Sequence, residues 1–242
     1  MKRLLLIIII GIFCLLIGCT KNNAETVIFY SPHADDEVLS MGASIIQAIE
    51  KKKNVIVVLL SRGLASQAFD KVNDKLAKEG YPPISLKEFG DARVNEFKAS
   101  LNIMGIETKN IFVYDLPDSN FTADMVVPIL LKMEKKYPGA EHHVMTYNDP
   151  HPDHKATGEA LKLLIEEQKI KNGYFHIPIQ EFENLSFTGS DKLNKPQEEI
   201  YKKALGVYGM WLPEKNKFAI GQISVPDYFT RAEKYLESRW HR

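Results

Sequence analysis

The sequence predicts a single α/β domain: a Rossmann-like, mostly parallel sheet with helices on both faces. Three observations predict it. Short β-branched runs alternate with amphipathic helical patterns between residues 26 and 179. Those runs are apolar on both faces, as strands buried between two helical layers must be. Two clusters rich in histidine and carboxylate each follow such a run and precede a helix, the place where open α/β sheets bind ligands.

The elements follow in order. Thr26 to Tyr30 reads as a buried strand, Pro32 marks its exit, and Val38 to Ala48 has helical periodicity. Val55 to Leu60 is a second strand. The stretch Leu64 to Gly90 is long, polar and interrupted by Gly80 and Pro82-Pro83, which predicts a rim or lid beside the sheet edge rather than core. Asp91 to Met104 predicts a helix stopped by Gly105. Ile111 to Tyr114 is a third strand, Met125 to Lys136 a helix ended by Pro138-Gly139, and His142 to Tyr147 a fourth strand. A helix then runs to about Gln168, and Gly173 to Ile179 is a fifth strand. Weaker patterns predict a helix at Gln197 to Leu205, a hairpin near Lys217 to Val225 and a terminal helix.

The N-terminus stands apart. Lys2 and Arg3 precede an apolar run from Leu4 to Ile17, short for a membrane-spanning helix and shaped like a secretory signal. Leu16-Ile17-Gly18-Cys19 resembles a bacterial lipobox, which predicts a signal peptide over 1–18, a tether over 19–25 and a catalytic domain over 26–242. The chain is then an extracytoplasmic lipoprotein held to a membrane through lipidated Cys19; an uncleaved signal anchor is the alternative. Cys14 leaves with the signal and Cys19 carries lipid, so neither a disulfide nor a thiolate ligand remains. Losing Lys2 and Arg3 from 31 basic residues leaves 29 against 31 acidic ones. That balance gives no electrostatic case for nucleic acid, which wants a basic stripe. No pattern sets an oligomeric state.

The clusters carry the chemistry. The first is Pro32-His33-Ala34-Asp35-Asp36-Glu37, the second His151-Pro152-Asp153-His154. His33 and Asp36, three apart at a helix start, can point the same way. With His154 they make a three-ligand set for a divalent ion, leaving a position open for water. Zinc suits two histidines and a carboxylate, and Fe2+ also fits. Asp35 projects differently from its neighbours and can act as a general base. His151 can face the reacting carbonyl and stabilise an oxyanion or protonate the leaving amine, with Asp153 holding its imidazole. Each cluster alone can be structural, because acidic residues complement a helix N-terminus and loop histidines are common. Their equivalent placement at strand ends favours a metal site.

Other polar residues stay in supporting roles. Glu37 is a capping or supporting residue, and Arg62 a loop arginine. His142 and His143 face opposite sides of a strand, and His176 packs or lies at a rim. Tyr147 and Asn148 can line a pocket. Tyr208 and Trp211 can stack on a sugar ring, with ordinary packing the alternative.

The two clusters also resemble the signature motifs of the PIG-L/LmbE-like zinc-dependent N-acetylglucosaminyl deacetylases, in order and in context, from about Thr26 to Leu164. Arg93-Val94-Asn95-Glu96, with Ala99 and Met104-Gly105, is similar to a third family segment. The resemblance implies a hydrolase that removes acetyl from an N-acetylated amino sugar or glycan. It implies His33, Asp36 and His154 as zinc ligands, Asp35 as base, and His151 with Asp153 at the oxyanion. It also implies Arg93 reaching toward substrate and Asp118 binding sugar hydroxyls. Ala34 departs from the usual proline, and Ser119 from the glycine often found there. A non-catalytic metal- or sugar-binding lipoprotein and a hydrolase of non-sugar amides remain the competing readings; Asp35 counts against the first.

Overall fold

The computed structural model describes residues 25–242; the signal segment, Cys19 and nearly all of the tether lie outside the described residues. Strand β1 (Thr26–Ser31) pairs in parallel with β2 (Asn54–Leu59) on one side and β4 (Glu141–Met145) on the other. Beyond them lie β3 (Ile111–Val113) and β5 (Asn172–His176), also parallel. Strands β6 (Gly189–Lys192) and β9 (Glu237–His241) complete a seven-stranded sheet of order β3-β2-β1-β4-β5-β9-β6, with β9 antiparallel to both neighbours. Strand order reverses between β1 and β4. A crevice therefore opens at their carboxyl ends, where both clusters emerge.

Period-two alternation places successive residues of β1 in different layers. Val27 and Phe29 enter a core with helices α2 (Gly42–Glu50), α4 (Leu86–Met104), α7 (Lys195–Val207) and α9 (Pro226–Tyr235). Ile28 and Tyr30 enter the other, beneath α5 (Ala123–Lys136) and α6 (Pro152–Glu166). Each β-branched run is thus covered twice, which is why it carries no polar alternation. Helix α6 lies so close to the end of β4 that a Cβ at Gly158 would strike the backbone of Tyr147 and Met145. Gly158 thereby sets the height of the helix that carries His154.

Several sequence expectations are corrected. The pattern from Val38 to Ala48 is not one helix: α1 (Asp36–Leu39) stops and α2 restarts at Gly42. Residues 64–90 are not merely a rim or lid, because they contain α3 (Ala68–Lys78). Its Ala68, Val72 and Leu76 recur every four residues and bury against Phe89, Phe218 and Ile220. Helix α4 begins at Leu86 rather than Asp91, since Ser85 and Glu88 form a reciprocal capping box. The hairpin lies earlier than expected, β7 (Trp211–Leu212) with β8 (Lys217–Phe218), and α8 (Ile220–Ser224) follows it. The fifth strand ends at His176. The terminal helix is α9, but the chain continues into β9.

Candidate metal centre and active-site cleft

His33 leaves β1 through a turn ending at Asp35, whose backbone takes φ 118° and ψ −32°. Such values cost an L-residue about 1–3 kcal/mol and persist only where surrounding contacts impose them. Here they let Asp36 start α1 with its carboxylate folded back, so that Oδ2 accepts the His33 N–H at 3.0 Å. His151 caps α6, accepting the Asp153 N–H on Nδ1 at 3.3 Å, and Pro152 occupies the first turn. His154 follows one turn later, facing back across the switch point.

Three donor atoms converge. Asp36 Oδ2 lies 3.3 Å from His33 Nδ1 and 3.1 Å from His154 Nε2, and the two nitrogens are 3.3 Å apart. Metal–ligand bonds of about 2.0–2.2 Å in tetrahedral array separate donor atoms by about 3.3–3.5 Å. The outer nitrogens fix the tautomers. His154 Nδ1 meets Asp149 Oδ2 at 2.7 Å, and His33 Nε2 meets Asp153 Oδ2 at 3.0 Å and Asp118 Oδ1 at 3.2 Å. In the neutral imidazoles both outer nitrogens therefore donate, which leaves both inner nitrogens with lone pairs facing a carboxylate oxygen. Such a set demands positive charge. Burial opposes it, yet Asp36 and Asp149 push the metal-free His154 imidazole up to about 9. The same imidazoles, against burial, hold Asp36 well below the usual carboxylate range. A divalent ion satisfies that demand at neutral pH and fits the donors. His33, His151 and Asp153 form a second clustered set that shares His33 with the first. Asp153 Oδ2 meets His33 and, at 2.7 Å, the Ser119 N–H, and its buried Oδ1 has no partner among the described residues.

Asp35, Arg93, Asp118 and His151 line one cleft of about 210 Å³ with the three donors, whereas Asp153 does not. Burial pushes Asp35 up to about 7 against the pull of Arg93, whose Nη2 is 3.8 Å from Asp35 Oδ2, while Asp36 adds to the rise. Arg93 is itself buried and donates to the Gly63 and Ala34 carbonyls. A Cβ at Gly63, which sits at φ 71°, would collide with that guanidinium. Asp118 accepts the Ala65 N–H at 2.6 Å. Burial, with His154 and His33 nearby, lowers the His151 pKa, so its imidazole is neutral at pH 7, accepting at Nδ1 and donating at Nε2.

One expected partnership is corrected: the Asp153 carboxylate does not hold His151. At the start of α6 it points across the crevice to His33, and only its backbone meets the His151 ring. Tyr147 packs on Phe175 and His241 rather than in the cleft. Trp211 pairs with Phe218, Tyr208 is buried, and neither lines this cleft. His142 bonds Tyr30 and Glu134 in one layer, and His143 bonds buried His176 in the other.

Residues to which the sequence assigned no role complete the site. Asp149, 1% exposed, orients His154 through Oδ2 and accepts the His151 N–H through Oδ1 at 2.8 Å. Its loop position, five residues before His154, matches no helical or strand period, so only the bare carboxylate signalled it. Asp149→Asn is expected to weaken metal affinity by about 10–100-fold with the fold intact, as measured by competition with a chromogenic chelator. Glu96 on α4 accepts the Ile220 and Gly221 N–H groups that open α8. That helix and α9 bring Ser224 and Tyr228 to the outer cleft wall, with Ser66 and Gln180.

Burial pushes the Glu96 carboxyl from 4.5 up to about 8 against those two N–H bonds. The folded state then holds a proton that the unfolded chain releases, so the contribution to stability is full below about pH 4.5. It declines as pH rises and is gone above about 8. Denaturant unfolding of Glu96→Gln from pH 5 to 8.5 should fall less steeply than wild type; parallel curves would remove Glu96 as the titrating group.

Comparison with known proteins gives three findings. A family model described as PIG-L, GlcNAc-PI de-N-acetylase, matches residues 28–165. No curated protein matches the chain by sequence. Solved structures match across nearly the whole fold at low identity. A deacetylase of teicoplanin biosynthesis is 16% identical with TM-score 0.65, over 89% of this chain and 96% of that one. The N,N'-diacetylchitobiose deacetylase of Pyrococcus horikoshii is 16% identical with TM-score 0.64, over 94% and 88%. A 4-carboxy-2-hydroxymuconate hydratase from Pseudomonas putida is 18% identical with TM-score 0.59, over 90% and 94%. The architecture alone therefore does not select the reaction; the site must.

Proposed function

Because the chain belongs to the PIG-L family, we propose that it is a metal-dependent deacetylase of an N-acetylated amino sugar. The observation that carries this reading is the convergence of His33 Nδ1, Asp36 Oδ2 and His154 Nε2 beside Asp35, in a cleft at the sheet's switch point. Those three atoms would hold a divalent ion, zinc in this proposal with Fe2+ fitting the same donors, and it would supply Lewis-acid polarisation to the acetamide carbonyl and to a water. Asp35 takes the proton of the attacking water. The neutral His151 donates through Nε2 to the oxygen that gains charge. Asp35 then returns its proton to the nitrogen as the C–N bond breaks, so water and amide become acetic acid and amine, which leave at neutral pH as acetate and ammonium.

The cleft also bears on the charge of the substrate. Among the described lining residues the one permanent cation is Arg93, committed to two carbonyls and to Asp35. Asp35, Asp36 and Asp118 face the same space, and Ser66, Gln180, Ser224 and Tyr228 add neutral hydrogen-bonding groups. This favours an uncharged sugar over a phosphorylated one. Acetate release should be measured from N-acetylglucosamine, N,N'-diacetylchitobiose and N-acetylglucosamine 6-phosphate. We expect turnover of a neutral sugar and at least about tenfold lower kcat/KM for the phosphate, a penalty of about 1.4 kcal/mol. Release from simple acetamides alone would favour the non-sugar amidase reading, and metal binding with no release the non-catalytic one.

The signal over 1–18 and lipidation of Cys19 are part of the same proposal, resting on the sequence pattern. They place the deacetylase outside the cytoplasm on a membrane, where surface or imported glycans are its substrates. Palmitate labelling of the full chain, lost in Cys19→Ser, is the expected result.

A further inference from the structure

Asp35 occupies backbone space that side chains avoid, and two contacts hold it there. Its carbonyl accepts the Val38 and Leu39 N–H groups at 3.1 and 2.9 Å, anchoring it to α1. Its N–H donates to Glu37 Oε2 at 2.9 Å. The other Glu37 oxygen, Oε1, accepts the Tyr208 hydroxyl at 2.7 Å. Glu37 and Tyr208 are both 0% exposed, and neither lines the cleft. Tyr208 caps α7, beyond the segment matched by the family, with its ring against Phe229 and so near Gly221 that a Cβ there would meet it at 2.6 Å.

A carboxyl wholly removed from water is costly, and a residue needed only for packing here would be apolar, as Val38 is. Glu37 has no cation beside it. Each of its oxygens instead serves a single donor, one on the strained residue and one on a rigid ring. We propose that Glu37 and Tyr208 are positioning residues for catalysis: Glu37 clamps the Asp35 amide, and Tyr208 fixes Glu37, so that the base is held against the converging donors. The C-terminal part of the chain thereby completes a turn encoded near its N-terminus. The proposal rests on Asp35 being the base.

The test compares Glu37→Ala, Glu37→Gln and Tyr208→Phe for kcat, KM, bound metal and unfolding midpoint in the metal-loaded protein. Displacement of a catalytic group by about 1 Å costs about 10²-fold in rate. Glu37→Ala should therefore lose about 10²-fold in kcat with KM and metal content unchanged. Glu37→Gln should recover most of that loss, because its amide oxygen accepts from Asp35 while its amide N–H turns to the Tyr208 oxygen. Tyr208→Phe should lower kcat by less than Glu37→Ala, again without a change in KM. Wild-type kcat in Glu37→Ala, or a loss matched by lost metal or lost folded protein, overturns the proposal. If Glu37→Ala does not fold, Tyr208→Phe decides, and an unchanged kcat there overturns it. The base assignment fails separately, through full activity of Asp35→Asn.

Discussion

Asp35→Asn should keep its metal and lose about 10²–10⁴-fold in kcat, the range that general-base catalysis supplies. Asparagine is the informative substitution because it tolerates positive φ better than other residues, and the native residue sits at φ 118°. The amide preserves shape and backbone but cannot accept the proton of water. His33, Asp36 and His154 keep their contacts, so metal content measured by plasma emission should match wild type. Undiminished turnover in this variant would place the base elsewhere, and loss of metal would make Asp35 part of the ion's support.

The other large effect is expected from His154→Ala. One of three converging donors disappears, and Asp149, whose side chain is 0% exposed, loses the imidazole it faces at 2.7 Å. Removing one partner of a buried pair costs about 3–5 kcal/mol, so this variant should lose metal, activity and thermal stability together. Asp36→Asn separates these effects. It keeps the volume of the side chain and its acceptor for the His33 N–H, removes the charge between the two imidazoles, and should abolish tight metal binding with a smaller fall in Tm. Circular dichroism and metal analysis on the pair check this; stoichiometric metal in both variants would contradict the ligand set.

The parts of this site that were readable in the sequence are those tied to regular geometry. His33 and Asp36 do converge at their three-residue spacing, though through the turn at Asp35 rather than within a helix. The two clusters follow buried strands, and doubly apolar strands imply the sheet whose switch point joins them. The strand order that makes β1 and β4 neighbours places residues 33 and 154 in contact, and that order is a long-range pairing rather than a local pattern. What stayed hidden depends on turns and on long-range partners. Asp149 reaches His154 across a loop with no period. The direction of Asp153, toward His33 and away from His151, is set by where α6 docks, and hence by Gly158 against Tyr147. Tyr208 meets Glu37 from 171 positions away. Strands β6 and β9 carry weak alternation because each lies at or near the sheet edge. Helix α3 was masked by the polar residues around its three buried ones.

The central claim is that the three converging donors hold one divalent ion and that deacetylation depends on it. The direct measurement strips the protein with a chelator, confirms metal loss by plasma emission, and titrates Zn2+ back while following acetate release from N,N'-diacetylchitobiose or N-acetylglucosamine. The stripped protein should release nothing, and recovery should track occupancy up to one ion per chain and be absent in His154→Ala. Full turnover by protein containing no bound metal would contradict it.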